Sequence, residues 1–217
     1  MPMADPAASG AQLDRLRLTQ ILSPAFPIGG FAHSQGLEWA IATGRVPDGA
    51  ALRDWIAATL RFGSARSDAI FLSLSHRSET DLAALADLYA ALLPATGRAL
   101  EAAELGRGFA TLTDPTAAGL PYVLAVGRQT AGLDLPLSEI LGLFLQSLAV
   151  QLISVAVRFM PLGQAEGQRI LADLAPILAE TATACALAGE QDLWTFTPGA
   201  DLAPMAQETM ETRIFRS

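Results

Sequence analysis

Leu137-Ser-Glu-Ile-Leu-Gly-Leu-Phe-Leu-Gln-Ser-Leu-Ala-Val-Gln-Leu-Ile-Ser-Val-Ala-Val-Arg-Phe-Met160 is the longest apolar run in this 217-residue chain. At about 20 residues it is long enough to span a membrane. Drawn at about 100° per residue, however, Ser147, Gln151, Ser154 and Arg158 share one narrow arc, because their spacings are four, three and four. Such a polar seam suits a helix buried in protein. In lipid it would lack a partner, and the flanks carry no basic residues to set a topology. The run therefore reads as the central helix of a soluble protein, with Pro136 at its first position and Pro161 and Gly163 closing its end.

Outward from this helix the chain continues in helical periods. Leu13, Leu16, Ile21 and Leu22 mark a first helix ending before Pro24, and 36–43 a second, stopped by Gly44. Asp48 can cap a third, in which Leu52, Trp55, Ile56, Thr59 and Leu60 form one stripe. The segment 68–76 is apolar nearly all round. Ser78 with Asp81 resembles a capping box for a fifth helix, with Leu85, Leu88, Tyr89 and Leu92 as its buried face. Segments 97–112 and 120–132 supply two more. Beyond the central helix, Leu171, Leu174, Leu178 and Cys185 line a helix over 165–188 that contains Pro176, and a short helix follows the loop 194–199. The fold expected is all-α, a single-domain bundle of roughly ten helices over 11–217, preceded by a disordered tail over 1–10.

Composition agrees with this. Hydrophobic residues make up 51% and aromatics only 6%, a balance that favours helix on helix. The net charge of −8 argues against a nucleic-acid partner. All 14 basic residues are arginine, so neither a phosphate-binding Walker lysine nor a Schiff-base lysine is available. The chain also lacks asparagine. Its one cysteine, Cys185, cannot form an internal disulfide, which suits a reducing cytoplasm, and it reads as a small core residue. His33 and His76 stand far from it and from each other, so no metal-ligand spacing exists. His33 reads as a hydrogen-bonded loop residue, and His76 as a helix-surface residue. The first ten residues carry no basic region or apolar core of a signal peptide.

Ser23-Pro-Ala-Phe-Pro-Ile-Gly-Gly-Phe-Ala-His-Ser-Gln-Gly-Leu-Glu38 is an unusual loop. Pro24 and Pro27 fix backbone angles, Gly29 and Gly30 permit angles closed to other residues, and Phe26, Ile28 and Phe31 call for burial. Ser34 would cap the helix that follows. This loop resembles the N-terminal signature of the UreF family of urease accessory proteins, a Ser-Pro-x-x-Pro-x-Gly-x-Phe segment leading into Ser-x-Gly-Leu-Glu. Two further stretches resemble that family in the same order: Arg158-Phe-Met-Pro-Leu-Gly-Gln164 and Gln207-Glu-Thr-Met-Glu-Thr-Arg-Ile-Phe-Arg-Ser217. The sequence departs from the pattern at Ala32-His33, Met210 and Ile214.

The resemblance implies an all-helical, dimerising, cytoplasmic protein without enzymatic activity. Such a protein joins UreD (also called UreH) and the GTPase UreG in a complex that inserts nickel into apo-urease. Nickel and GTP are handled by the complex, with no metal or cofactor bound by this chain. Matched residue by residue, Gln207, Glu208, Thr209, Arg213, Ile214, Phe215, Arg216 and Ser217 would dock on UreD. Pro24, Pro27, Gly29, Gly30, Phe31, His33, Ser34, Gly36 and Glu38, with the turn residues Arg158, Pro161, Gly163 and Gln164, would shape the core, the dimer or the GTPase face.

Read without the resemblance, the same chain offers little chemistry. Asp81, Asp87, Glu101 and Glu104 look like isolated acids on solvated helix faces, and 31–36 is no Gly-x-Ser-x-Gly elbow. A small helical hydrolase using Ser34 and His33 is the alternative. The final residues, Arg213-Ile-Phe-Arg-Ser217, alternate charge with bulky apolar groups and read as anchors for a partner surface, disordered until bound; the alternative is a tail that packs on its own chain.

Overall fold

The computed structural model describes residues 6–77 and 80–217. Among them there are ten α-helices, three short 3-10 turns and no strand. The helices are α1 (Pro6–Ile21), α2 (Leu37–Ala42), α3 (Gly49–Phe62), α4 (Ser64–His76), α5 (Leu82–Leu92), α6 (Thr96–Leu112), α7 (Tyr122–Thr130), α8 (Leu137–Phe159), α9 (Gln164–Leu187) and α10 (Pro198–Glu208). Helix α1 already covers residues 6–10 of the segment expected to be disordered, since Pro is well suited to the first helical turn and Ala-rich sequence extends it. Residues 1–5 of that tail lie outside the described residues, as does Ser78.

Two helices form the centre. In α4 every residue except Ser64, Arg66 and His76 is buried. Helix α8 packs on α9, α2, α4 and α3 and buries Ile140, Leu141, Phe144 and Leu145 completely. By length and composition α8 and α9 could each cross a membrane, but here they pair with each other inside the bundle. Helices α4 and α7 touch through Gly127, where a Cβ would come within 2.6 Å of the Leu72 carbonyl oxygen; only glycine permits that approach.

Several helix starts match the sequence reading. Asp48 accepts from the Ala51 amide at the head of α3, whose stripe of Leu52, Ile56, Thr59 and Leu60 is buried. At α5 the cap is Asp81 itself, accepting from the amides of Ala83 and Ala84, so the helix starts after the aspartate rather than at Ser78. Only Leu85 and Tyr89 of its expected face are buried, and Leu92 is largely exposed, because α5 contributes one narrow edge to the bundle. Pro136 sits at the cap position of α8, one residue before the helix.

Candidate functional site

The two terminal motifs, nearly two hundred residues apart in sequence, meet on the polar seam of α8. The seam glutamine, Gln151, donates from Nε2 to the carbonyls of Gly30 at 2.9 Å and His33 at 3.2 Å. About two turns further along the seam, Arg158 donates from Nη2 to the Phe31 carbonyl at 2.9 Å. The loop pairs some of its carbonyls within itself, as Gly29 with the Ala32 amide and Gly30 with the His33 amide, and α8 supplies the further donors to Gly30, Phe31 and His33. Gly29 makes the turn at φ 83°, whereas Gly30 has an ordinary negative φ and matters for its closeness to Gln151. Pro24 and Pro27 stay exposed, Phe26 packs on Phe109, and Ile28 lies against the backbone at Gly108. Phe31 does not find the burial expected of it: it is 70% exposed, because its carbonyl rather than its ring is held by α8.

The 207–217 segment lies over this loop rather than hanging free. Phe215 is 3% exposed, with the Arg158 guanidinium 4.8 Å from its ring centre. The buried carboxylate of Glu38 accepts from the amides of Ile214 at 2.6 Å and Phe215 at 3.0 Å, and from the Gln207 side chain at 3.3 Å. Arg216 donates its amide to the Ala32 carbonyl at 2.8 Å. The Ser217 carbonyl accepts from the amides of Ser34 and Gln35 and from Ser34 Oγ at 2.8 Å. Of the two readings of this segment, these contacts match packing on its own chain and not order conferred only by a partner. Its alternating pattern fills an intramolecular groove with Phe215 and turns Arg213 and Ile214 outward, both exposed. Glu208 reaches back to accept the Gly97 amide, supplying an acid to the uncapped start of α6. Thr209 bonds only its own helix, at the Ala206 carbonyl.

Ser34 is not a helix cap. Gly36, at φ 85°, precedes α2, and a Cβ there would stand 2.6 Å from the Pro204 nitrogen of α10, so both conformation and packing require glycine. Ser34 Oγ is fully buried and bonds Gln207 Oε1 and the Ser217 carbonyl, and His33 Nδ1 faces Ser217 Oγ at 2.8 Å. Serine and histidine are thus spent on the segment and form no dyad. The turn motif divides: Arg158 belongs to the junction, whereas Pro161 and Gly163 lie exposed between α8 and α9 and Gln164 lies exposed at the first position of α9.

Beneath the junction is a buried ionic cluster that sequence reading missed. Arg98 pairs with Glu101 and lies 3.7 Å from Asp68, whose other oxygen accepts from the Tyr89 hydroxyl at 3.0 Å. Glu101 is 2% exposed, correcting its reading as a solvated surface acid. Burial pushes its carboxyl up, but Arg98, His33 and the Ser217 hydroxyl together hold it below the usual range. Asp68 has weaker support, and burial raises its carboxyl to about 6. Burial likewise lowers His33, against the pull of Glu101 and Glu104. The available signals were an acid at the head of the largely apolar 68–76 run and the Arg98/Glu101 spacing of three. A cavity of about 100 Å³ separates the cluster from the seam, walled by Phe26, Ile28, Tyr122, Phe144 and Ser147. Among the described residues no group of three or more histidine, cysteine or acidic side chains could hold a metal ion. Cys185 is buried, with its thiol pushed up to about 11.

Such a molecule is an all-α protein whose signature residues lock its own loops together and leave a studded surface above them. Comparison with known proteins gives the particular family. The UreF family model matches residues 46–175. The chain is 50% identical over 209 residues to the urease accessory protein UreF of Paracoccus denitrificans (strain Pd 1222), covering 94% of this chain and 96% of that protein. It is 46% identical over 206 residues to UreF of Cereibacter sphaeroides (strain ATCC 17025 / ATH 2.4.3), covering 93% and 98%. It is 43% identical over 229 residues to UreF of Bradyrhizobium sp. (strain ORS 278), covering 97% and 95%. The chain belongs to the UreF family of urease accessory proteins.

Proposed function

We propose that this protein is a non-enzymatic subunit of the cytoplasmic complex that inserts nickel into apo-urease at the expense of GTP. In this role it acts as a homodimer, bridges UreD to the GTPase UreG and regulates the nucleotide cycle of UreG. The observation that carries the reading is the near end-to-end identity with urease accessory proteins, and the chemistry is compatible. The sequence contains no lysine for a nucleotide-binding loop, and Ser34 and His33 are committed to holding the 207–217 segment. Nickel and GTP belong to the complex and not to a cofactor site in this chain.

The outward residues of the docked segment are the natural contacts for UreD. Arg213 and Ile214 are exposed, and Arg216 lies open beside Glu104. Arg213→Ala or Ile214→Ala should weaken UreD binding by about 1–4 kcal/mol, the range of interface anchors, with an unchanged melting temperature. Phe215→Ala should first loosen the protein's own segment. The deciding experiment is co-purification with UreD and UreG, followed by urease activation with nickel and GTP. No complex, or activation unaffected by omitting this protein, would refute the reading.

A further inference from the structure

The cavity beneath the junction ends at a donor and an acceptor that do not reach each other. Arg98 and Asp68, 4% and 5% exposed, both line it. Arg98 Nη1 pairs with Glu101 and makes no further hydrogen bond among the described residues, while Nη2 stops 3.7 Å from Asp68 Oδ2, beyond hydrogen-bond reach. The other Asp68 oxygen already accepts from the Tyr89 hydroxyl. Gln35, Ser147 and Gln151 line the same cavity, but they are engaged with Glu101, the Phe144 carbonyl and the 30–33 loop. One buried N–H and one buried carboxylate oxygen are left facing each other across a gap. The cavity reaches the surface between Pro24, Phe31 and Arg158, all exposed.

A donor beside an acceptor asks for a ligand that carries the opposite pair. The edge of a primary amide holds an accepting oxygen and a donating N–H about 2.2 Å apart, so it fits between atoms 3.7 Å apart with two nearly parallel hydrogen bonds. A single water at ordinary distance from both atoms would hold its two contacts only about 80° apart, tighter than its protons and lone pairs favour. In an ordinary secondary amide the N–H points away from the oxygen, so the two never share an edge. A carboxylate offers two acceptors and would set like charge against Asp68 where Glu101 already balances Arg98; an ammonium offers only donors and would meet the guanidinium. Phe26, Ile28, Tyr122 and Phe144 give the rest of such a ligand an apolar seat. At about 100 Å³ the cavity is smaller than the roughly 150 Å³ space that accepts benzene in another protein, which limits the ligand to about four to six non-hydrogen atoms.

We propose that this cavity is a binding site for a small, neutral primary amide, which enters between Pro24, Phe31 and Arg158 and places its oxygen on Arg98 Nη2 and its nitrogen on Asp68 Oδ2. The acceptor role of Asp68 requires an ionised carboxylate, which it has above about pH 6. Residues of the 23–31 loop, α6 and α8 all wall the site, so an occupant touches the loop that Gln151 and Arg158 hold. The site requires only this chain, and failure of the urease reading would leave it standing.

Solution NMR of the intact protein at neutral pH tests the site with propionamide as the probe. Saturable shifts are expected at the Arg98 side-chain N–H signals and at the rings of Phe26 and Phe144. N-methylacetamide is an isomer of propionamide with its N–H on the opposite edge, and it should bind about tenfold more weakly, as should propionate and propylammonium. Equal binding by the isomer or by either ion would overturn the assignment, and so would the lack of any saturable shift with propionamide below about 0.1 M. Ser147→Leu fills the cavity from α8 without touching the Arg98–Asp68 pair; it should retain helical circular dichroism and lose the response, whereas a retained response places the amide elsewhere. A crystal of the native protein grown with propionamide decides without any variant. Amide density joining Nη2 to Oδ2 supports the site, and water alone in the gap refutes it.

Discussion

Phe144 and Leu145 of α8 are completely buried in the apolar core, whereas Gln151 and Arg158, further along the same helix, hold carbonyls of the 30–33 loop. The first stretch is stabilised by burial, which is non-directional and asks only for matching volume. The second is stabilised by directional bonds from partly buried and exposed donors to particular backbone carbonyls. Removing one leaves another unsatisfied. One helix thus carries a tolerant half and an exacting half. The exacting half is where the family motifs lie and where charge can alter structure.

The widest gap between the halves should appear on truncating a core ring. Phe144→Ala should cost about 3–5 kcal/mol in denaturant unfolding, with all segments lost together. At the junction, Glu38→Ala strands the amides of Ile214 and Phe215 and the side chain of Gln207. It should cost about 2–3 kcal/mol and act mainly by freeing the 207–217 segment. Exchange confined to that segment, with helical circular dichroism retained, is the expected signature; a uniform loss of protection across α4 and α8 would merge the two regions into one.

Acid should separate them again. Folded Asp68 binds its proton up to about pH 6, against 3.8 for the ordinary side chain. Between about pH 4 and 6 the folded protein therefore keeps a proton that the unfolded chain has lost, and stability falls as pH rises through that window. At 1.36 kcal/mol per unit the full swing is about 3 kcal/mol. The stability difference between the native protein and Asp68→Asn, followed by denaturant titration from pH 4 to 7, should show this slope. Acidification thus firms the Asp68 cluster. Gln151→Leu comes next: it removes the donor to the His33 carbonyl and leaves the Gly30 carbonyl with the His33 amide alone, and it should cost about 1–3 kcal/mol, measured as a shift in urea midpoint.

The tolerant half was largely legible in the sequence. Periodicity placed α3, α8 and α9, and the 147–158 arc announced that α8 needed polar company. What it met was not legible, because the partners are backbone carbonyls about 120 residues away that no side-chain pattern advertises. The 207–217 segment was left open between two readings for a related reason. A chain of alternating charge and bulk looks the same whether its apolar side faces a partner or its own groove, and the Glu38 carboxylate that decides the matter lies 176 residues from Ile214.

Two residues that look alike as helix caps give the smallest and most selective test. Asp48 is a cap, accepting one amide at the exposed start of α3, and its change to alanine should cost about 1 kcal/mol, read as a lower melting temperature with segment 207–217 still protected. Ser34 stands before α2 and caps nothing; its hydroxyl serves Gln207 and the Ser217 carbonyl, and both also have other donors or acceptors nearby. Ser34→Ala should therefore cost a similar amount, about 1 kcal/mol, but place the loss in the exchange of residues 214–217 rather than in the helix. Equal energies with different locations would show that the junction is a separate cooperative unit. If Ser34→Ala instead frayed α2 and left the segment protected, the hydroxyl would be acting locally and the polar junction would lose one of its central members.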